Sequence, residues 1–288
     1  MSRPETQMPW ACVVGDPIAH SLSPLLHQTW LQETGTLGNY SAVKLSTAQF
    51  NSTMLQYFAD SHFLGANITL PHKQAALDLA DIVSPLAQQV GAANFLYRAE
   101  GKIYADNTDV HGFLAPLLRV LDQRGLSKKR ACVFGAGGAA RAVLIGLQQV
   151  GIERVLLCNR TDEKAALLSE ELEFSNLECL AWSERNDPSF SPDLVVNAGS
   201  AGMTGFGKLD INLAFCHQET LVYDLVYKPL LTPLLAQAKQ KNLRVLGGLE
   251  MLVSQAKPCF ERLFGAKPPQ DSKAMNRALA QLEQDGAK

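Results

Sequence analysis

No apolar run in this sequence approaches the roughly 20 residues needed to cross a bilayer, so a membrane span is not expected. An excess of either charge sign is missing too. The 26 Lys+Arg against 28 Asp+Glu leave a formal net charge of −2. That excludes the basic footprint of a nucleic-acid binder and a polybasic segment drawn to anionic lipid. Six cysteines stand at 12, 132, 158, 179, 216 and 259, with no CxxC pair and no histidine at metal-ligand spacing beside them. No metal is expected, and thiols in runs such as Ala131-Cys132-Val133-Phe134 read as small reduced core residues. The first ten residues carry Arg3 but no apolar stretch of secretory length, so the expectation is a cytoplasmic protein. Internal repeats, low-complexity tracts and heptads are also missing, and a monomer or homodimer is compatible with what remains.

What is present is an ordinary globular composition, 47% hydrophobic and 19% charged over 288 residues. That length suggests two domains. Strand-like runs at 11–14, 40–45 and 65–70 alternate with helix patterns at 24–33, 47–61 and 73–79. A hairpin is expected from 94–97 and 102–105 around Ala99-Glu100-Gly101. The second half alternates more regularly. Its strands are expected at 130–134, 154–158, 194–197, 221–225 and 244–246, and its helices at 139–150, 163–173, 233–241 and 250–263, with a loop at 186–193. Such alternation argues βαβ units and a mostly parallel sheet, hence an α/β fold.

The strongest generic motif is Gly135-Ala136-Gly137-Gly138-Ala139-Ala140-Arg141, a GxGxxA turn between an apolar strand and an apolar helix. The first glycine permits a tight turn, Gly137 lets a pyrophosphate approach the backbone, and Ala140 lets helix pack on strand. The helix N-terminus then presents unpaired N–H groups to the phosphates. The next strand ends at Cys158-Asn159-Arg160-Thr161, where an NAD site usually places an acidic residue on the ribose. Arg160, with Lys164 one turn on, suits a 2′-phosphate instead and favours NADP. Asp162 and Glu163 beside them keep NAD possible.

Three strand ends in the first half carry polar groups without an evident packing role. Gly15–Pro24 places Ser21 and Ser23 before a helix; Gly65–Lys73 supplies Asn67, Thr69 and Lys73; Asn94 and Asp106-Asn107-Thr108-Asp109 add amides and carboxylates. Singly, these read as caps or as the polar face of a strand. Together they suit a small polyhydroxylated acid.

With these segments, and with Gly91–Asn94, Asp224–Thr232 and Gly247–Gln255, the chain resembles the shikimate dehydrogenase family along nearly its whole length. The resemblance implies reversible hydride transfer between NADPH and the ring ketone of 3-dehydroshikimate, in aromatic amino acid biosynthesis. It implies an N-terminal α/β substrate domain over 1–112 plus 249–288, whose C-terminal helices fold back on it. A Rossmann-type, doubly wound parallel-sheet domain is implied over 113–248. Lys73 and Asp109 would form the catalytic pair, either one moving the proton. Ser21 and Ser23 would hold the substrate carboxylate, and Asn67, Thr69, Asn94, Asp109, Tyr227 and Gln255 would bind its hydroxyls or line the pocket. The cofactor would lie on Gly135, Ala136, Gly137, Gly138, Ala139, Asn159, Arg160, Thr161 and Lys164, with Leu225, Gly248 and Met251 along the nicotinamide. A quinate/shikimate dehydrogenase using NAD or NADP, or a non-catalytic ligand-binding relative, would share the fold.

Overall fold

The computed structural model describes residues 8–121, 123–172, 174–187 and 189–286. It separates into two compact units: Met1–Thr108 with Gln255–Gln281, and Asp109–Ser254 with Leu282–Lys288.

The first unit runs β1 (Trp10–Gly15), α1 (Ser23–Thr34), β2 (Asn39–Lys44), α2 (Thr47–Ala59), β3 (Phe63–Ile68), α3 (Lys73–Leu79), β4 (Ile82–Val83), α4 (Pro85–Val90), β5 (Phe95–Ala99) and β6 (Lys102–Asp106). Its six strands lie in the order β2-β1-β3-β5-β6-β4. β1 pairs in parallel with β2 and β3, whereas β3–β5 and β5–β6 are antiparallel. The expected hairpin is β5–β6, turned through Glu100 and Gly101, both at positive φ. Alternate residues of β1 feed opposite cores: Cys12 and Val14 pack with Phe50, Met54 and Phe63, while Ala11 and Val13 pack with Tyr40, Phe95 and Cys259. A sheet covered on both faces needs this near-continuous apolar strand.

The second unit runs α5 (Asp109–Val120), α6 (Gln123–Leu126), β7 (Arg130–Phe134), α7 (Gly138–Gln149), β8 (Arg154–Cys158), α8 (Asp162–Leu172), β9 (Leu177–Leu180), β10 (Leu194–Asn197), β11 (Leu221–Asp224), α9 (Pro233–Gln240), β12 (Arg244–Gly247) and the start of α10 (Gly248–Phe264). Its sheet is wholly parallel, in the order β12-β11-β10-β7-β8-β9. The order reverses between β7 and β10, the point where open α/β sheets bind ligands at their carboxyl ends. Ala131 and Val133 face one core with Phe113, Leu117 and Val143; Cys132 and Phe134 face the other with Leu213, Leu235 and Ala238.

α11 (Ala274–Gly286) completes the chain. Its approach is anchored on α1, where Ser272 Oγ accepts from Trp30 Nε1 at 3.0 Å and Glu33 accepts from Lys273 N at 2.8 Å.

The division differs from the expected one at its edges. Residues 109–112 go with the second unit because α5 is one continuous helix whose Phe113 and Leu117 are buried in that core. Helix α10 changes unit at 254/255, six residues after the expected boundary. Residues 282–288 also group with the second unit, where Asp285 accepts from Lys228 Nζ at 2.7 Å. α4, β4, α6 and β9 had no sequence expectation, and α11 was expected only without bounds, as one of the C-terminal helices that the resemblance implies. The expected helix end at Glu173 and Pro188 of the expected loop lie outside the described residues. All six cysteines are free; Cys12, Cys132, Cys158 and Cys259 are buried as expected of core thiols, but Cys179 is exposed.

Candidate active site

In the first unit the polar residues collect at the carboxyl ends of β1 and β3. The loop after β1 is held to the loop after β3, since Asp16 N donates to Leu70 O at 2.9 Å. Ser23 opens α1 and is buried, and its N–H reaches the hydroxyl of half-buried Ser21 at 3.3 Å. Leu22 before α1 offers no side-chain hydrogen bond, Ser23 N is taken by Ser21 and Pro24 has no N–H, so the two serine hydroxyls are what this turn offers an anion such as a carboxylate. Thr69, just past β3, donates its N–H to Val14 O at 2.9 Å.

Lys73 is the first residue of α3. Its root is fixed by His72, which is buried, stacks on Phe50 with ring centroids 4.6 Å apart, and donates Nε2–H to Leu45 O at 2.8 Å. The Lys73 carbonyl accepts from Ala93 N at 3.0 Å, which ties the lysine to the segment that delivers Asn94. Asn94 is buried; its Oδ1 accepts from Thr108 N at 2.8 Å and its Nδ2 donates to Thr108 Oγ1 at 3.0 Å.

Asn67 points its amide into a second polar group. Its Oδ1 accepts from Tyr40 Oη at 2.6 Å, and its Nδ2 donates to Cys259 Sγ at 3.0 Å. One turn before Cys259 on α10, the Oε1 of Gln255 is buried with no hydrogen-bond partner among the described residues. A buried amide oxygen without a donor costs about 1–3 kcal/mol, and a ligand hydroxyl would remove that cost. Ser21, Ser23, Asn67, Thr69, Lys73, Asn94 and Gln255 thus all belong to the first unit.

Asp109, Tyr227 and the expected cofactor residues belong to the second. Asp109 opens α5 and is 3% exposed. The glycine turn bridges β7 and α7 at the reversal of strand order. Gly135 has φ +116, and a Cβ there would stand 2.9 Å from Gly199 N in the loop after β10. Gly137 has an ordinary negative φ of −98, and a Cβ there would meet nothing within 4 Å. Protein packing requires glycine at 135, whereas at 137 only an approaching ligand would. No side chain caps α7, which leaves its N–H groups for a pyrophosphate. Gly138, Ala139 and Ala136 are half-buried around this turn.

At the end of β8, Asn159 Nδ2 donates to Thr161 O at 2.8 Å and Lys164 N donates to the same oxygen at 3.1 Å. These bonds shape a short exposed turn bearing Arg160 and Lys164. Asp162 is engaged elsewhere: its Oδ1 accepts from Trp182 N at 2.9 Å. Of the two residues that kept NAD possible, Asp162 therefore serves the chain, while Glu163 is exposed.

Beyond β11 the backbone is held by a carboxylate. Asp224 is fully buried and accepts from Asn197 Nδ2 at 2.9 Å, Val226 N at 3.0 Å and Thr232 Oγ1 at 2.6 Å. Burial outweighs those donors and pushes its carboxyl up to about 6. The loop so fixed carries Leu225 and Tyr227, whose phenol burial pushes up. Leu225 O would stand 2.1 Å from a Cβ on Gly248, so α10 starts against this loop only with glycine there. Met251, one turn on, is buried in the same core. Glu250 pairs with Arg119 at 2.7 Å.

Sequence reasoning missed Tyr40, Thr108 and Cys259 as neighbours of the proposed ligand groups, and Asp224 as the anchor of its loop. Cys259 carries no signal of its own in an apolar helix. Asp224 at a strand end, with Thr232 just before Pro233, was the readable one.

Known proteins match this arrangement. Residues 13–96 match the shikimate dehydrogenase substrate binding domain, and residues 119–227 match the shikimate / quinate 5-dehydrogenase family. A shikimate dehydrogenase (NADP(+)) of Paracoccus denitrificans is 40% identical over 94% of this chain and 96% of its own. One from a Ruegeria species is 40% identical over 96% and 99%. The structure of shikimate 5-dehydrogenase from Thermus thermophilus, in complex with NADP(H) and shikimate, aligns with a TM-score of 0.82 at 35% identity. That alignment covers 96% of this chain and 100% of the other.

Proposed function

The chain belongs to the shikimate dehydrogenase family, and we propose that it is an NADP-dependent shikimate dehydrogenase whose acid–base pair is Lys73 and Asp109. The reaction is reversible reduction of the ring ketone of 3-dehydroshikimate to shikimate, a step toward aromatic amino acids, carried out in the cytoplasm by a monomer or homodimer.

The observation that carries the cofactor reading is the contrast between Gly135 and Gly137. Of these two, Gly137 alone is left without a protein reason, as a phosphate cradle requires. NADPH, when bound, supplies the hydride. Gly137, Gly138 and Ala139 would take the pyrophosphate on the first N–H groups of α7, with Ala136 in the turn. Arg160 and Lys164 would take the 2′-phosphate, framed by Asn159 and Thr161. Leu225, Gly248 and Met251 would form the apolar seat of the nicotinamide. Asp162, committed to Trp182 N, has one oxygen fewer for a ribose hydroxyl, which favours NADP over NAD.

For the substrate, Ser21 and Ser23 would hold the carboxylate through their hydroxyls. Asn67, Thr69, Asn94, Gln255 and Tyr227 would take ring hydroxyls. Reduction of a ketone leaves an alkoxide that needs a proton; Lys73 donates it or stabilises the oxyanion, and Asp109 holds the lysine charge. Purified protein is expected to reduce NADP⁺ with shikimate, and kcat/KM over shikimate or quinate with NADP⁺ or NAD⁺ is expected to be highest for shikimate with NADP⁺. No shikimate-dependent reduction would overturn the reading.

A further inference from the structure

We infer that Cys259 is a positioning residue for substrate recognition: its thiol fixes the orientation of the Asn67 side-chain amide, and so decides which edge of that amide meets a substrate hydroxyl.

An asparagine amide can turn over and exchange its donor and acceptor edges unless its neighbours distinguish them. Here both neighbours do. Tyr40 Oη, 2.6 Å from Asn67 Oδ1, is a donor to that oxygen. The ring it belongs to is fully buried and stacks on His27 with centroids 3.9 Å apart. Burial, with Cys12 and Cys259 nearby, pushes its phenol up, so it keeps its proton throughout the working pH range. On the other edge, Cys259 Sγ accepts from Asn67 Nδ2 at 3.0 Å. The thiol is itself oriented, because its S–H is spent on Gln255 O at 3.4 Å, which leaves the sulfur lone pairs toward Asn67. Thr108 Oγ1, already bonded to Asn94, lies 3.5 Å from the same sulfur.

Cys259 therefore joins three of the residues proposed to bind ring hydroxyls: Asn67 directly, Gln255 through its carbonyl, and Asn94 through Thr108. Each Asn67 edge retains capacity for one further bond, a second N–H on Nδ2 and a second lone pair on Oδ1. With the amide pinned, these become one fixed donor and one fixed acceptor for a vicinal diol. A thiol suits the position because it fills core volume and still accepts a hydrogen bond.

The inference rests on the shikimate dehydrogenase reading, and a series at position 259 in the full-length protein separates the two. Cys259→Ala and Cys259→Val remove the acceptor, one losing volume and one keeping it; Cys259→Ser restores an acceptor. Both non-bonding variants are expected to raise the KM for shikimate about fivefold, the worth of roughly one hydrogen bond, with the KM for NADP⁺ unchanged. Cys259→Ser is expected to stay within about twofold of wild type, a margin well below one hydrogen bond. If Cys259→Ala and Cys259→Val keep the wild-type shikimate KM, or if serine fails to rescue while all three proteins remain folded by circular dichroism, the positioning role is overturned and the enzyme reading stands. A wild-type protein without shikimate-dependent NADP⁺ reduction would overturn both.

Discussion

The hydroxyl of Thr232 donates to the carboxylate of Asp224 at 2.6 Å, closing the loop that carries Leu225 and Tyr227 into a ring. Asn197 and Val226 add two more donors to the same carboxylate, so the loop is set before any ligand arrives.

That carboxylate gives a pH-dependent stability. Its pKa is raised to about 6 in the folded chain, against an unfolded value of about 3.9. The folded state thus holds a proton that the unfolded state has released between these values. The contribution is fully present below about pH 4 and lost as pH rises through about 6. It amounts to at most about 3 kcal/mol. Asp224→Asn removes this titration. The unfolding free energy of wild type minus that of the variant, measured in denaturant, is expected to grow as pH is lowered from about 7.5 to 5. A difference independent of pH would contradict it.

The two turn glycines are expected to fail differently. Gly135→Ala places a Cβ 2.9 Å from Gly199 N at φ +116, and a loss of about 1–3 kcal/mol of stability is expected. Gly137→Ala meets no protein atom within 4 Å, so the melting temperature is expected to hold while the KM for NADP⁺ rises at least tenfold, about 1.4 kcal/mol. Thermal unfolding together with cofactor kinetics checks both.

Cofactor choice is expected to rest on Arg160. Arg160→Ala would remove the proposed charge-assisted contact to the 2′-phosphate, worth about 1.5–3 kcal/mol. A fall of ten- to a hundredfold in kcat/KM with NADP⁺ follows, with NAD⁺ kinetics little changed. Equal losses with both cofactors would refute a 2′-phosphate contact.

The acid–base pair is expected to act on kcat. Lys73→Ala and Asp109→Asn should each lower it by about a hundredfold to ten-thousandfold, with shikimate binding, followed by calorimetry, reduced far less. On the proposal that the two groups serve one proton transfer, the double variant is expected to lose little beyond the worse single one.

Much of the fold could be read from periodicity. The strands and helices that carry the motifs are long apolar runs ended by Gly, Pro or Asn, and their alternation is a local property of the chain. β4 and β9 could not be read this way. β4 has two residues and β9 four, Leu177-Glu178-Cys179-Leu180, and both exist because a neighbouring strand offers a free edge. Helix α11 has a mean composition too polar to stand out, and it is anchored from outside, by Ser272 and Lys273 on Glu33.

The site divides in the same way. By itself the sequence determined the glycine turn, the cationic end of β8 and the order of the polar segments, because those functions need particular residue types at short, fixed spacings. Tertiary structure alone decided what each side chain is free to do. Asp162 stands beside Arg160 in sequence, yet its oxygen is taken by Trp182 N, 20 residues away. Cys259 looks like a core filler in an apolar helix, yet it lies 3.0 Å from the amide of Asn67, 192 residues away. A hydrogen bond is set by distances of a few tenths of an ångström between groups far apart in the chain, and that information exists only once the sheet and helices have packed.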